Sequence, residues 1–215
     1  MELGLHNKVI MFTGNAGGID EAIIRVLTDE GAIALISSKR EDDNGSRQQR
    51  EPAACEKAVR AIFQKFGRID GLVNSGGLND NRNLDSDGNN LFRNSLNDCL
   101  GPYFLTTHFA LPYLKISHGS IININSKTRD PGNRSAYVAI DGGLNALTRE
   151  WAVEMLKYGI RVNAILLDEC TKSETQVPAW IGIAQTIAFL LSEKSSHTTG
   201  QLIHADAGRT PVILP

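Results

Sequence analysis

The chain has 215 residues, of which 41% are hydrophobic and 21% charged, and its formal net charge at pH 7 is −2. A chain of this length can bury a sizeable core, so we interpret residues 1–215 as a single domain. The near-zero net charge favours neither a nucleic-acid partner nor an anionic membrane surface, and no apolar run reaches membrane-spanning length.

The cysteines and the N-terminus indicate the cellular compartment. Cys55, Cys99 and Cys170 are scattered and form no CxxC pair or Cys/His cluster, which predicts free thiols and no metal site. The first residues carry no signal-peptide pattern. Together these features predict a protein of the reducing cytoplasm.

The first predicted elements are a short buried strand at residues 9–12, a glycine-rich turn and an amphipathic helix that begins near Ile19. This order is typical of nucleotide-binding units, because glycines let the backbone approach a pyrophosphate and the helix N-terminus offers free N–H groups. A tight turn favours glycine for its own reasons as well. Gly14 and Gly18 are therefore interpreted either as cofactor contacts or as residues of a purely structural turn.

The remaining elements alternate between strand and helix. Strands are predicted at 32–36, 69–74, 120–125, 161–166 and 201–205, and helices at 52–66, 91–115, 136–158 and 178–191. Pro102 and Pro112 are expected to bend or interrupt the helix at 91–115. Alternating apolar strands and helices predict a doubly wound, Rossmann-type α/β fold: a parallel sheet of six strands with helices on both faces. Its ligand site is expected beyond the carboxyl ends of the strands.

Several motifs spread over nearly the whole chain point to one family. They are Thr13-Gly14 with Gly18-Ile19, Phe66–Gly77, Ile121–Thr128, Tyr137, Leu147–Val153, Tyr158–Ala164 and Ser196–Gly200. Together they resemble the short-chain dehydrogenase/reductase family, and within it the sugar dehydrogenases of the L-fucose dehydrogenase type. The resemblance implies an oxidoreductase that uses NAD or NADP, acts on a sugar or another secondary alcohol or ketone, and forms a homo-oligomer, either a dimer or a tetramer.

The resemblance also assigns catalytic positions. In the family a Tyr-x-x-x-Lys pair, a serine and an asparagine move a hydride and a proton. The lysine ammonium lowers the pKa of the tyrosine from about 10, so that its phenolate can act as a base. Tyr137 matches the tyrosine and Ser126 the serine, but Asp141 stands where the lysine is expected, and a carboxylate raises the pKa of a nearby tyrosine. The asparagine aligns to Cys99. Tyr137 and Ser126 are interpreted either as catalytic residues or as buried hydrogen-bonding groups.

At the positions that bind the cofactor in the family, some residues match the family pattern and others depart from it. The matching residues are Gly14, Gly18 and Ile19 at the turn, with Asn74 and Gly76 on the adenine side, unless these two only end a strand and cap a helix. Asp20 occupies the third glycine position of the fingerprint, where a charge ~4 Å from a phosphate would oppose binding by about 4 kcal/mol at an effective dielectric constant of ~20. Lys39 and Arg40 follow the second strand with no acidic residue at its end, which slightly favours NADP, although they are equally interpretable as solvated charges.

Two segments are shorter than the family pattern. Near 41–51 a helix and an edge strand are expected to be missing, and near 168–178 the helices that cover the substrate. The sequence therefore leaves two hypotheses: an NAD(P)-dependent oxidoreductase, or a catalytically inactive member of the fold that serves as a binding or oligomer-partner protein.

Overall fold

The computed structural model of the chain describes residues 2–14, 18–37, 51–76, 89–127, 135–168 and 177–206. Within these ranges, only the backbone is described at 89–91, 126–127, 168 and 177–179. The expected shortening near 41–51 and most of that near 168–178 lie outside the described residues.

Six parallel strands form one sheet in the order β2-β1-β3-β4-β5-β6. Their bounds are Val9–Phe12 for β1, Ile33–Ile36 for β2, Gly71–Ser75 for β3, Ser120–Lys127 for β4, Arg161–Asp168 for β5 and Leu202–Ala205 for β6. The predicted doubly wound parallel sheet of six strands is confirmed. The strand order reverses between β1 and β3, which is the switch point where this fold class binds ligands.

Within the described ranges, five α-helices cover the two faces of the sheet. They are α1 at Ile19–Asp29, α2 at Pro52–Phe66, α3 at Asn89–Ser117, α4 at Ser135–Met155 and α5 at Val177–Leu191. Short 3₁₀ helices follow at Leu156–Tyr158 and Glu193–Ser195. The predicted helices all form, with bounds that differ by a few residues.

The core lies in two layers that the sheet separates. On one face α1 and α5 pack together over alternate strand residues, with Ile23 and Ile187 fully buried. On the other face α2, α3 and α4 pack over the remaining strand residues, with Val59, Leu114 and Leu144 in contact with that layer. Strand side chains alternate between faces, so β1 and β3 supply apolar groups to both layers.

Of the two effects that the sequence predicted for the prolines of α3, bending or interruption, the interruption does not occur. The helix continues through both Pro102 and Pro112. Each proline removes one backbone hydrogen bond, a cost that tertiary packing can outweigh. Tyr103, Ala110 and Leu114 of this helix are buried against the sheet, which holds the helix together across the two defects.

Candidate functional site

The glycine turn follows β1 at the sheet's switch point. A Cβ atom on Gly14 would lie 2.2 Å from Cε1 of Phe12 and 2.3 Å from Oδ2 of Asp20, so only glycine fits there. Gly18, at the N-cap of α1, has φ 60° and ψ −121°, a conformation that side-chain-bearing residues rarely adopt. Both glycines are therefore required by local geometry.

The N-terminus of α1 carries no side-chain cap from its N-cap residue, because that residue is Gly18. The first N–H groups of a helix have no partner inside the helix, and together with the helix dipole they favour an anion. Ile19 begins this helix and packs against the adjoining apolar layer. The N-terminus of α1 thus offers N–H groups that suit a phosphate group, and contact of Gly14 or Gly18 with a cofactor stays a prediction.

Asp20 is buried, with 7% of its surface exposed, although it lies in the first turn of α1. Its Oδ1 accepts a 2.8 Å hydrogen bond from the hydroxyl of Ser75, the last residue of β3. The same carboxylate fills the space beside Gly14. The position that is expected to hold a third glycine therefore holds a carboxylate that links α1 to the carboxyl end of β3.

Asn74 lies one residue before Ser75 and is fully buried. Its Nδ2 donates to Oγ1 of Thr107 at 3.1 Å and to Oδ1 of Asn123 at 3.0 Å, while its Oδ1 has no hydrogen-bond partner. Asn123 in turn donates to Oγ1 of Thr148 at 2.9 Å. The side chain of Asn74 thus joins β3 to β4 and to α3, and a cofactor contact for it stays a prediction.

This buried amide and hydroxyl network was missed by sequence reasoning. A signal for it existed, because Asn74 and Asn123 are polar residues within apolar strands and stand opposite each other in the register of β3 and β4. Pairing of two such strands brings their amides together. Thr107 and Thr148 carried no comparable signal, since threonine is common on helix surfaces.

Tyr103 of α3 was also missed. Its hydroxyl oxygen lies 2.8 Å from the carbonyl oxygen of Gly76 and 2.6 Å from that of Ile124. Burial raises the pKa of Tyr103 far above its ordinary value, and the negative charge of Asp20 adds to that rise. Tyr103 therefore remains a neutral hydrogen-bond donor that holds the backbone beyond β3 against β4, and Gly76 takes part through its carbonyl group.

The predicted catalytic residues lie near the carboxyl end of β4. The backbone of Ser126 is paired with that of Leu167 in β5, and Tyr137 is buried in the first turn of α4 with 7% of its surface exposed. Asp141 follows one helical turn after Tyr137, and Cys99 is buried in α3. Lys39 lies outside the described residues.

Two asparagines, also missed from the sequence, connect these elements. Nδ2 of Asn125 lies 3.2 Å from Oδ1 of Asn145 and 3.3 Å from the backbone carbonyl oxygen of Asp141. Asn125 directly precedes Ser126, and Asn145 lies one turn after Asp141. These contacts hold α4 in register against the end of β4.

The described residues were also compared with the patterns of metal sites and membrane-spanning helices. Across the described ranges, no group of three or more His, Cys, Asp or Glu side chains is arranged to hold a metal ion. No helix within those ranges is both long and apolar enough to cross a membrane.

Comparison with known proteins decides the family. The sequence model of the family described as short chain dehydrogenase matches residues 8–179. The chain belongs to the short-chain dehydrogenase family.

Two short-chain dehydrogenase relatives carry sugar-related names. Sorbitol-6-phosphate 2-dehydrogenase of Klebsiella pneumoniae is 29% identical over 261 residues, covering 97% of this chain and 98% of the relative. L-fucose dehydrogenase of Bos taurus is 33% identical over 174 residues, covering 74% of this chain and 64% of the relative. The resemblance to the family, with L-fucose dehydrogenases among the matches, is confirmed.

A solved structure gives the same answer for the fold. A short-chain dehydrogenase/reductase family oxidoreductase from Brucella ovis, in complex with a partially ordered NAD, superposes with a TM-score of 0.76 at 25% identity. The match covers 93% of this chain and 99% of that one.

The conformation of Gly18 in this short-chain dehydrogenase leads to a stability prediction. Gly18→Ala should lower the free energy of unfolding by about 1–3 kcal/mol, because an L side chain is strained at this φ and ψ. Gly182→Ala is the control, since Gly182 is an exposed interior residue of α5 with open space around its Cβ position. That change should raise stability by about 0.5–1 kcal/mol. Urea unfolding followed by circular dichroism measures both, and equal shifts for the two variants would contradict the prediction.

Proposed function

We propose that this short-chain dehydrogenase is an oxidoreductase that moves a hydride between a nicotinamide cofactor and a sugar or another secondary alcohol or ketone. The observation that carries the proposal is the start of α1, where the N-cap residue Gly18 supplies no side-chain hydrogen bond, together with the local geometry that requires glycine at positions 14 and 18. The sugar-related relatives and the NAD complex of the Brucella ovis protein support the substrate and cofactor classes.

Residues of the turn would hold the cofactor. Gly14 and Gly18 would let the backbone approach its diphosphate, and the N–H groups at the start of α1, beginning with Ile19, would bind the phosphate oxygens. Gly76 and Asn74, at and beyond the end of β3, would border the adenine side. Among the two nicotinamide cofactors we favour NADP, because Lys39 and Arg40 follow β2 and could pair with a 2′-phosphate.

The proton chemistry would fall to Tyr137 and Ser126. The bound cofactor would supply the hydride acceptor or donor. The hydroxyl of Ser126 would hydrogen-bond the substrate oxygen, and Tyr137 would take its proton during oxidation or return it during reduction. Asp141 makes the phenolate form of Tyr137 harder to reach, so the proton transfer would be slower than with a lysine at this position.

A second candidate function rests on this same residue. With Asp141 in place of lysine, the chain could be a catalytically inactive member of the family that serves as a binding or oligomer-partner protein. The two functions predict different results for cofactor binding and for a substitution at Asp141.

The first test is titration of the purified protein with NADPH and with NADH at pH 6.5 by calorimetry. The oxidoreductase proposal expects binding at micromolar levels, with NADPH tighter than NADH. If neither cofactor binds to a protein that unfolds cooperatively, the inactive-member function replaces the proposed one.

The second test changes Asp141→Lys. A lysine ammonium one turn from Tyr137 should stabilise its phenolate and raise kcat by about 10²-fold, at the lower end of the range for general acid–base catalysis. Reduced-cofactor absorbance in a screen of sugars measures the rate. Asp141→Asn, which removes the charge alone, should give a smaller gain, and Tyr137→Phe in the lysine variant should abolish it. Unchanged turnover in a lysine variant that still binds cofactor would contradict this role.

We also propose a homo-oligomer, either a dimer or a tetramer, in the cytoplasm. Apolar side chains are exposed on α4 and the 3₁₀ helix after it: Val138 is 55% exposed, Val153 73% and Leu156 65%. On α3, Phe104 is 51% exposed. Exposed apolar surface of this extent supports a protein interface. Free, buried thiols at Cys55 and Cys99 support a reducing compartment.

Light scattering tests the assembly. The wild-type mass should be that of a dimer or tetramer at micromolar concentration, and Val153→Glu should shift it towards the monomer, because the carboxylate would be buried without a partner. Lys57→Glu, on the exposed face of α2, is the control and should leave the mass unchanged. A monomeric wild-type protein would contradict the proposal.

A further inference from the structure

A buried carboxylate at the cofactor turn has a consequence for binding. Asp20 is the second residue of α1, and only 7% of its surface is exposed. The first turn of this helix is also where the proposed function, on which this inference rests, would bind a diphosphate. A diphosphate bound at this turn of the helix would lie near the Asp20 carboxylate. Two negative charges repel each other more strongly next to a buried group than in water.

Both oxygens of the Asp20 carboxylate lie against neighbouring residues. Its Oδ1 accepts from the Ser75 hydroxyl at 2.8 Å, and its Oδ2 fills the space that a Cβ on Gly14 would occupy. Trp180 of α5 is buried and lies on the outer side of Gly18, 3.7 Å from its Cβ position. The carboxylate is therefore held between α1 and the ends of β1 and β3, and protonation would relieve the repulsion by removing its charge.

We propose that Asp20 makes cofactor binding proton-coupled: the anionic diphosphate binds together with the uptake of one proton by the Asp20 carboxylate. In its protonated form the side chain remains within hydrogen-bond reach of Ser75, since a hydroxyl can both donate and accept. The site thus accepts the cofactor in its neutral state and disfavours it in its charged state.

Among the residues that the structure describes, the side chains of Tyr103 and Ser75 face Asp20. From α3, Tyr103 faces it electrostatically, and that tyrosine stays neutral because burial and Asp20 itself raise its pKa. From β3, Ser75 presents a hydroxyl, which does not change charge in the neutral pH range. On α1, Glu21 is exposed to solvent.

The direction of the pH dependence follows from linkage. A group whose proton affinity is higher in the complex than in the free protein takes up a proton on binding, so affinity falls as pH rises between its two pKa values. For one proton, the dissociation constant rises by up to about tenfold for each pH unit in that window. The pH window lies between the pKa of the Asp20 carboxyl group in the free protein and its higher pKa in the complex.

Calorimetric titration with NADH between pH 6.5 and 8.5 tests the proposal. NADH is the suitable probe because its diphosphate keeps a constant charge over this range, whereas a phosphomonoester such as that of NADPH titrates near pH ~6. Measurement at one pH in two buffers of different ionisation enthalpy gives the number of protons taken up. We expect an uptake approaching one proton for the wild-type protein and an affinity that weakens as pH rises.

Asp20→Asn supplies the matched change, because it keeps the shape and an oxygen that can accept from Ser75 while removing the charge. It should bind NADH at least tenfold more tightly at pH 8.5 and show neither proton uptake nor pH dependence. Glu21→Gln, which removes an exposed carboxylate from the same helical turn, is the control and should keep the wild-type proton uptake. Thermal unfolding establishes that each variant is folded, and the two-buffer experiment on the wild-type protein stands without any variant.

The outcomes separate this inference from the proposed function. Wild-type binding that is independent of pH and equal to that of Asp20→Asn would overturn the proton coupling and leave the oxidoreductase proposal in place. Failure of both folded proteins to bind NADH at any pH would overturn both.

Discussion

The carboxyl end of β3 is the constraint on which the rest of the site depends. This strand lies between β1 and β4, so its last side chains are enclosed by sheet and helices and must find hydrogen bonds inside the protein. Asn74 bonds to Thr107 and Asn123 on one face, and Ser75 bonds to Asp20 on the other. Beyond them, Tyr103 holds the carbonyl of Gly76. Buried polar groups of this kind stabilise one arrangement, because any other would leave several of them unsatisfied.

This constraint explains how a carboxylate can occupy the third position of the glycine fingerprint. A charged group at a close contact between helix and strand would be costly if it were unpaired. Ser75 provides a hydroxyl at 2.8 Å, and the missing side chain of Gly14 provides the space. The local structure is therefore compatible with Asp20, and the proposed effect of the substitution is on the affinity for an anionic cofactor. The contacts of the Asp20 carboxylate that suit the folded structure are thus distinct from those that would suit an anionic ligand.

The substrate side of the site shows a similar separation. Asn125 and Asn145 join the end of β4 to α4 and so preserve the framework around Ser126 and Tyr137. The charge at Asp141 is opposite to the one that a tyrosine base needs. Fold and framework thus follow the short-chain dehydrogenase family, whereas the chemistry depends on a few ionisable residues that the fold does not require. For this reason the family identifies the reaction class more firmly than it identifies the rate or the substrate.

The sequence by itself determined the architecture. Apolar strands that alternate with helices of regular spacing, and the glycines after β1, were enough to predict the six-stranded parallel sheet, its helices and the position of the turn. These features are local or repeat with a fixed period, so neighbouring residues carry the information. The substitutions at Asp20 and Asp141 were equally visible.

Only the tertiary structure decided which polar residues meet. The partnership of Asp20 with Ser75 joins residues 55 positions apart, and that of Asn74 with Asn123 joins residues 49 apart. The continuity of α3 across Pro102 and Pro112 likewise depends on packing against the sheet. Such contacts form between residues that are distant in the chain, and their strength depends on burial, which no local pattern records. The sequence placed a carboxylate beside the expected phosphate, and only the structure shows that this carboxylate bonds to Ser75 of β3.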